Sequence, residues 1–169
     1  MRTPLLFIIS MFLILPVFAQ HQKKATSGAD IIKPVGILPG LSDEELLDVV
    51  QRQTFRYFWD FAHPVSGLAR ERSNEAYGYG NEVVTTGGTG FGIMATVVAV
   101  ERGWITRDSA ARHLLKMVKF LSKSDSYHGV FPHWLNGSTG KTIPFSRKDD
   151  GADLVESSYL FQGLLTARQ

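Results

Sequence analysis

Four apolar stretches at helical spacing, joined by connections that alternate long and short, constrain this chain more than any other feature. Ser42-Asp43-Glu44-Glu45 has the S-x-x-E form of a capping box, and Leu46, Leu47, Val50, Phe55, Phe58 and Trp59 follow at helical intervals. They predict a first helix over about 43–62, ended by His63-Pro64. A loop rich in Gly, Ser, Asn and Tyr follows over 65–86, longer than most connections in compact domains and therefore a candidate for function. The second helix is expected from about Thr89 to Gly103. Its centre, 91–100, is apolar almost all round and fits a buried helix or a strand, and its length and the Glu101-Arg102-Gly103 stop favour the helix. Thr106-Arg107-Asp108 opens a third, amphipathic helix with Ala110, Leu114, Met117, Val118 and Leu121 on one face. A second long loop, 124–148, carries Phe131-Pro132-His133-Trp134 and the turn pair Asn136-Gly137, which suits a short hairpin. The fourth helix is expected from about Asp150–Gly151 to Gln169. The pattern predicts an all-α fold of stacked helical hairpins with the long loops gathered at one end, as in an α/α toroid.

The first nineteen residues, with Arg2, an apolar run from Leu5 to Leu15, Pro16 and Val17-Phe18-Ala19, have the layout of a secretory signal peptide cut after Ala19. Pro4, Ser10 and Pro16 leave an apolar core shorter than the roughly 20 residues of a spanning helix, so no membrane span is expected after cleavage. Residues 20–40 read as a linker or N-terminal arm, and 41–169 as the folded unit. The expected location is exported, periplasmic or secreted. There, nicotinamide cofactors and ATP are scarce, so hydrolysis and binding outrank redox or phosphoryl chemistry. A formal charge of +2 argues against a nucleic-acid partner. Without cysteine there is no disulfide framework, thiol nucleophile or Cys-ligated zinc.

Three motif resemblances fail on inspection. Gly140-Lys141-Thr142 lacks the first glycine of a phosphate loop, since Leu135 stands there. The run Gly87-Gly88-Thr89-Gly90-Phe91-Gly92 has Ile93 where a dinucleotide fingerprint needs its third glycine, and close backbone packing at a helix start is the simpler reading. A calcium loop centred on Gly151 would place Lys148 and Ser157 at oxygen-ligand positions. No cofactor and no metal site are expected, and His128 and His133, five apart around Pro132, do not have zinc-pair spacing.

Asp149, Asp153 and Glu156 stand at i, i+4 and i+7. On a continuous helix they would fall within a sector of roughly 60°. Acidic residues in a first turn also complement the helix dipole, and Asp150 fits an N-cap. Three like charges on one stripe, however, repel and raise one another's pKa. Glycoside hydrolysis needs such an arrangement: one protonated carboxyl for the leaving oxygen and one ionised carboxylate to activate water. Asp149, Asp153 and Glu156 are therefore the candidate catalytic residues, with the acid and base undecided among them. Phe131, Trp134 and Tyr79 offer faces for sugar rings, and His133 and Arg147 offer donors for hydroxyls. Trp59 and Trp104 read as core.

The segments LLDVVQRQTFRYFWDFAHPVSGLARERS, VVTTGGTGFGIMA, ERGWITR, HGVFPHWLNGSTGKTIPFS and KDDGADLVESSYLFQGLLTARQ resemble the glucoamylase-like family of bacterial extracytoplasmic proteins. That family includes the endo-β-1,2-glucanases of glycoside hydrolase family 144. The resemblance runs from about Leu41 to Gln169. It implies a toroid of six helical hairpins, hydrolysis of β-linked glucan, and placement of Asp149, Asp153, Glu156 and the segment from Phe131 to Trp134 at the substrate cleft. Family members are longer, and one further carboxylate comes from a segment beyond the matching region. The expectation is thus the N-terminal portion of a toroid, with the rest of the fold required as partner. A non-catalytic exported module that binds oligosaccharide or protein is the alternative.

Overall fold

The computed structural model describes residues 36–72 and 81–169. Four helices dominate: α1 (Asp43–Trp59), α2 (Thr86–Glu101), α3 (Arg107–Leu121) and α4 (Leu154–Arg168). The capping box forms, with Ser42 Oγ accepting from Glu45 N and the Glu45 carboxylate accepting from Ser42 N at 2.8 Å. Those bonds hold the Glu45 carboxyl below the usual range. α1 stops three residues short of the expected end. The amides of both Asp60 and Phe61 close on Arg56 O, and this widened last turn ends the helix with Phe61 fully buried in the interior. α3 begins on a Thr106 cap that accepts from Ser109 N.

The all-α expectation needs amendment. The hairpin predicted at Asn136-Gly137 exists as β2 (Trp134–Asn136) and β3 (Thr142–Ile143), but β1 (Val83–Thr85), read from sequence as loop, joins it in a three-stranded antiparallel sheet ordered β1-β2-β3. Val84 pairs with Leu135, and both side chains are fully buried. These strands are too short for alternation to show, and long-range pairing alone selects them.

α2 and α4 form the most extensive helix pair. A Cβ at Gly90 would lie 2.1 Å from Tyr159 O, and one at Gly163 would lie 2.4 Å from Gly90 O, so the backbones touch directly. Glu156 reaches Gly87 at the start of the pair, whereas Val97 and Val100 share a groove with Thr166 and Ala167 near its end. The two helices are therefore parallel, with their N-termini together. α1 runs antiparallel to α2: the Phe58 ring packs against Gly92, and Asp48 reaches Arg102 at 3.6 Å. Trp59 stacks on Phe55 and Trp104 meets the same ring at a tilt of 41°, which agrees with a packing role. The central core draws Leu68, Val84, Ile93, Met117, Leu135 and Leu160 from loop, sheet and three helices.

Apolar residues also lie at the surface. Leu154 and Val155 on α4 are 74% and 62% exposed, and Phe91 and Val98 on α2 are about half exposed. Among the described residues no helix is long and apolar enough to cross a membrane.

The loop after α1 is fastened by His63, a fully buried imidazole whose Nδ1 accepts from Val65 N and Ser66 N. Its Nε2 faces Glu82 at 3.5 Å, and Gly137 lies against the ring so closely that a Cβ there would sit 2.6 Å away. Burial pushes His63 below the ordinary imidazole range; Glu82 opposes this, while Arg70 and Lys116 add to it. His113, packed on Trp59 at 4.9 Å, is lowered for the same first reason.

Gly90→Val should destabilise the fold by about 3 kcal/mol or more, the upper range for overpacking against backbone that cannot move aside; a urea midpoint equal to wild type would contradict the close approach. The unfolded state gains protons on His63 and His113 before the folded state does. Stability should therefore be complete above pH 7 and decline as pH falls below about 6.5. Thermal melts that stay level between pH 7 and 5 would contradict neutral burial of these rings.

Candidate active site

The site assembles where the N-termini of α2 and α4 meet. The segment from Phe131 to Trp134 is laced to both. Asp153 N donates to Phe131 O at 2.9 Å, and Ser157 Oγ bridges the Phe131 amide and carbonyl at 2.8 and 3.1 Å. From the other side, Thr86 Oγ1 donates to Pro132 O at 2.9 Å and Thr86 N to His133 O at 3.2 Å. The side chain of His133 thereby has a fixed origin.

Asp153 is the N-cap of α4. Its Oδ1 accepts from Glu156 N at 3.0 Å, and its Oδ2 lies 3.0 Å from His133 Nδ1. An ionised carboxylate only accepts, so this contact places the proton of a neutral His133 on Nδ1. Asp149 Oδ2 stands 4.0 Å from the same nitrogen. The His133, Asp149 and Asp153 donor atoms all lie within 4.8 Å of one another, a spacing one divalent cation could bridge, and the hydrogen bond from His133 accounts for it without one.

The expected helical stripe of carboxylates is not formed. α4 starts at Leu154, because Asp153 is extended (φ −119°, ψ 108°) and Ala152 pairs with Pro132. Asp149 sits before the helix, in a turn closed by its own amide on Ser146 O, and a carboxylate oxygen of it lies within 4.8 Å of one of Asp153. Asp150 is not the cap. Glu156 reaches instead to the start of α2: Oε2 accepts from Gly87 N at 2.9 Å and from Thr85 Oγ1 at 3.1 Å.

The aromatic candidates divide. Trp134 is buried, its Nε1 donating to Glu71 Oε2 at 3.1 Å, and its ring meets Phe145 edge-on at 4.9 Å. The Phe131 ring packs on Phe161 and the core, so its backbone is what serves the site. Arg147 is exposed at the corner of the Asp149 turn and makes no ion pair among the described residues. Tyr79 lies outside the described residues.

Sequence reasoning missed Phe145, which stacks on His133 with centroids 4.3 Å apart and planes 19° apart while remaining half exposed. It is the aromatic face the site presents to solvent. An aromatic immediately after Pro144, on the approach to Asp149, was the available signal. Glu71, the partner of Trp134, had none.

No family model matches the chain. It is 52% identical over 130 residues to an exo β-1,2-glucooligosaccharide sophorohydrolase acting at the non-reducing end, from Parabacteroides distasonis. The match takes in 76% of this chain and 18% of that protein. The structure of an endo-β-1,2-glucanase from Chitinophaga pinensis, in complex with sophorotriose and glucose, superposes with a TM-score of 0.73 at 51% identity, covering 76% of this chain and 32% of that one. A β-1,2-glucanase from Parabacteroides distasonis gives 0.70 at 52% identity, over 76% of this chain and 18% of its own. Over three quarters of its length the chain is thus a relative of the β-1,2-glucanases, and it spans less than a third of the lengths of these relatives.

The cap assigns different costs to two changes at one position. Asp153→Ala should cost about 1–2 kcal/mol of stability, whereas Asp153→Asn, itself a good N-cap, should cost less than about 0.5 kcal/mol. Equal losses by chemical denaturation would contradict the cap.

Proposed function

We propose that this chain serves the hydrolysis of β-1,2-linked glucan. The observation that carries the reading is the His133–Asp153–Asp149 group beside the exposed ring of Phe145, in a chain half identical to enzymes named for that linkage. Hydrolysis needs a carboxyl that gives a proton to the leaving oxygen and a carboxylate that activates water. Among the described residues the Asp149 carboxylate makes no hydrogen bond and stands 4.0 Å from His133 Nδ1, so it is free to meet a hydroxyl or a water. Asp153 is fixed by the helix amide and by His133, which supports a role in holding the reacting group or water in place. Phe145 offers a stacking face, and the exposed Arg147 offers a donor.

The finer architecture is part of the same proposal. Parallel α2 and α4 would form inner helices of an α/α toroid, and α1, antiparallel to α2, and α3 would form outer ones. The exposed apolar faces of α2 and α4 support this, since an inner helix meets neighbours on both sides. Export, proposed with it, rests on Arg2 and the apolar run that follows.

In the native polypeptide, Asp153→Asn should cut release of reducing ends from linear β-1,2-glucan at least a hundredfold, the scale of general acid–base catalysis. Turnover equal to wild type would overturn the assignment. Saturable binding of the glucan by wild type, with no reducing ends released, would show a binding module instead.

A further inference from the structure

We infer that Glu156 is a positioning residue, the N-terminal cap that α2 does not supply for itself, and that it takes no part in proton transfer. The inference rests on the proposed hydrolysis only for its kinetic readout. The amides of a first helical turn need outside acceptors. α2 starts on Thr85, whose side chain makes no capping bond, and its first turn, Thr86-Gly87-Gly88-Thr89, contains no acid. Glu156 fills this place from another helix. Its Oε2 receives both the Gly87 amide and the Thr85 hydroxyl, at 2.9 and 3.1 Å.

Gly87 is the complement of that carboxylate. A Cβ there would lie 2.4 Å from Oε2 and 2.9 Å from the carboxyl carbon, so any larger residue would push the cap away. Thr85 in turn pairs with Trp134 in the sheet, and Thr86 holds the carbonyls of Pro132 and His133. Glu156 therefore ties α4, which carries Asp153, to the strand and segment that carry His133. One oxygen, Oε2, serves both donors.

Glutamine separates the roles, because its amide oxygen can still accept both bonds but cannot exchange a proton. Gly87 amide hydrogen exchange, followed by NMR, should stay slow in Glu156→Gln and accelerate at least tenfold in Glu156→Ala. In the same proteins, Glu156→Gln should retain the two limbs of the pH profile of kcat with less than a tenfold loss, and Glu156→Ala should lose more. A hundredfold loss in Glu156→Gln with one limb of the profile removed would overturn the inference. So would unchanged Gly87 exchange in Glu156→Ala. If wild type released no reducing ends, the hydrolysis reading alone would fail, and the exchange comparison would still decide the role of Glu156.

Discussion

Everything at the site depends on the direct backbone contact between α2 and α4. Gly90 and Gly163 let the two helices approach until main-chain atoms touch, and the parallel arrangement brings two positive helix ends to one place. That arrangement is electrostatically costly by itself. Asp153 on its own helix and Glu156 across to the other place a carboxylate at each end, so the charge that makes the site chemically interesting also makes the packing possible.

The segment around His133 inherits its position from both helices at once. Its main chain is bonded to Asp153 and Ser157 on one side and to Thr86 on the other, while β2 continues from it into the sheet. A movement of either helix would therefore be transmitted to His133, and through it to Asp153 and the stacked ring of Phe145. Both helices thus fix the position of the His133 backbone.

The sequence made much of this legible. Ser42 and Thr106 declare their helices by local capping chemistry, and the glycine run at Gly87–Gly92 was readable as close packing at a helix start. What stayed hidden depends on partners distant in sequence. β1 is three residues long and exists because Val84 meets Leu135. The start of α4 moves to Leu154 because Ala152 pairs with Pro132, and this takes Asp149 off the helix. The spacing of Asp149, Asp153 and Glu156 fitted one helical face, yet the fold sends the first two to His133 and the third to Gly87. Tertiary hydrogen bonds thus separate residues that periodicity had grouped.

The proposed meeting place of carbohydrate and this chain is the converged helix starts. A crystal structure of the native polypeptide with sophorotriose tests it most directly. A glucose ring lying on Phe145, with hydroxyls within hydrogen-bond distance of Asp149, is the predicted result. Sugar bound on another face, with Asp149 and Phe145 left in water, would contradict it.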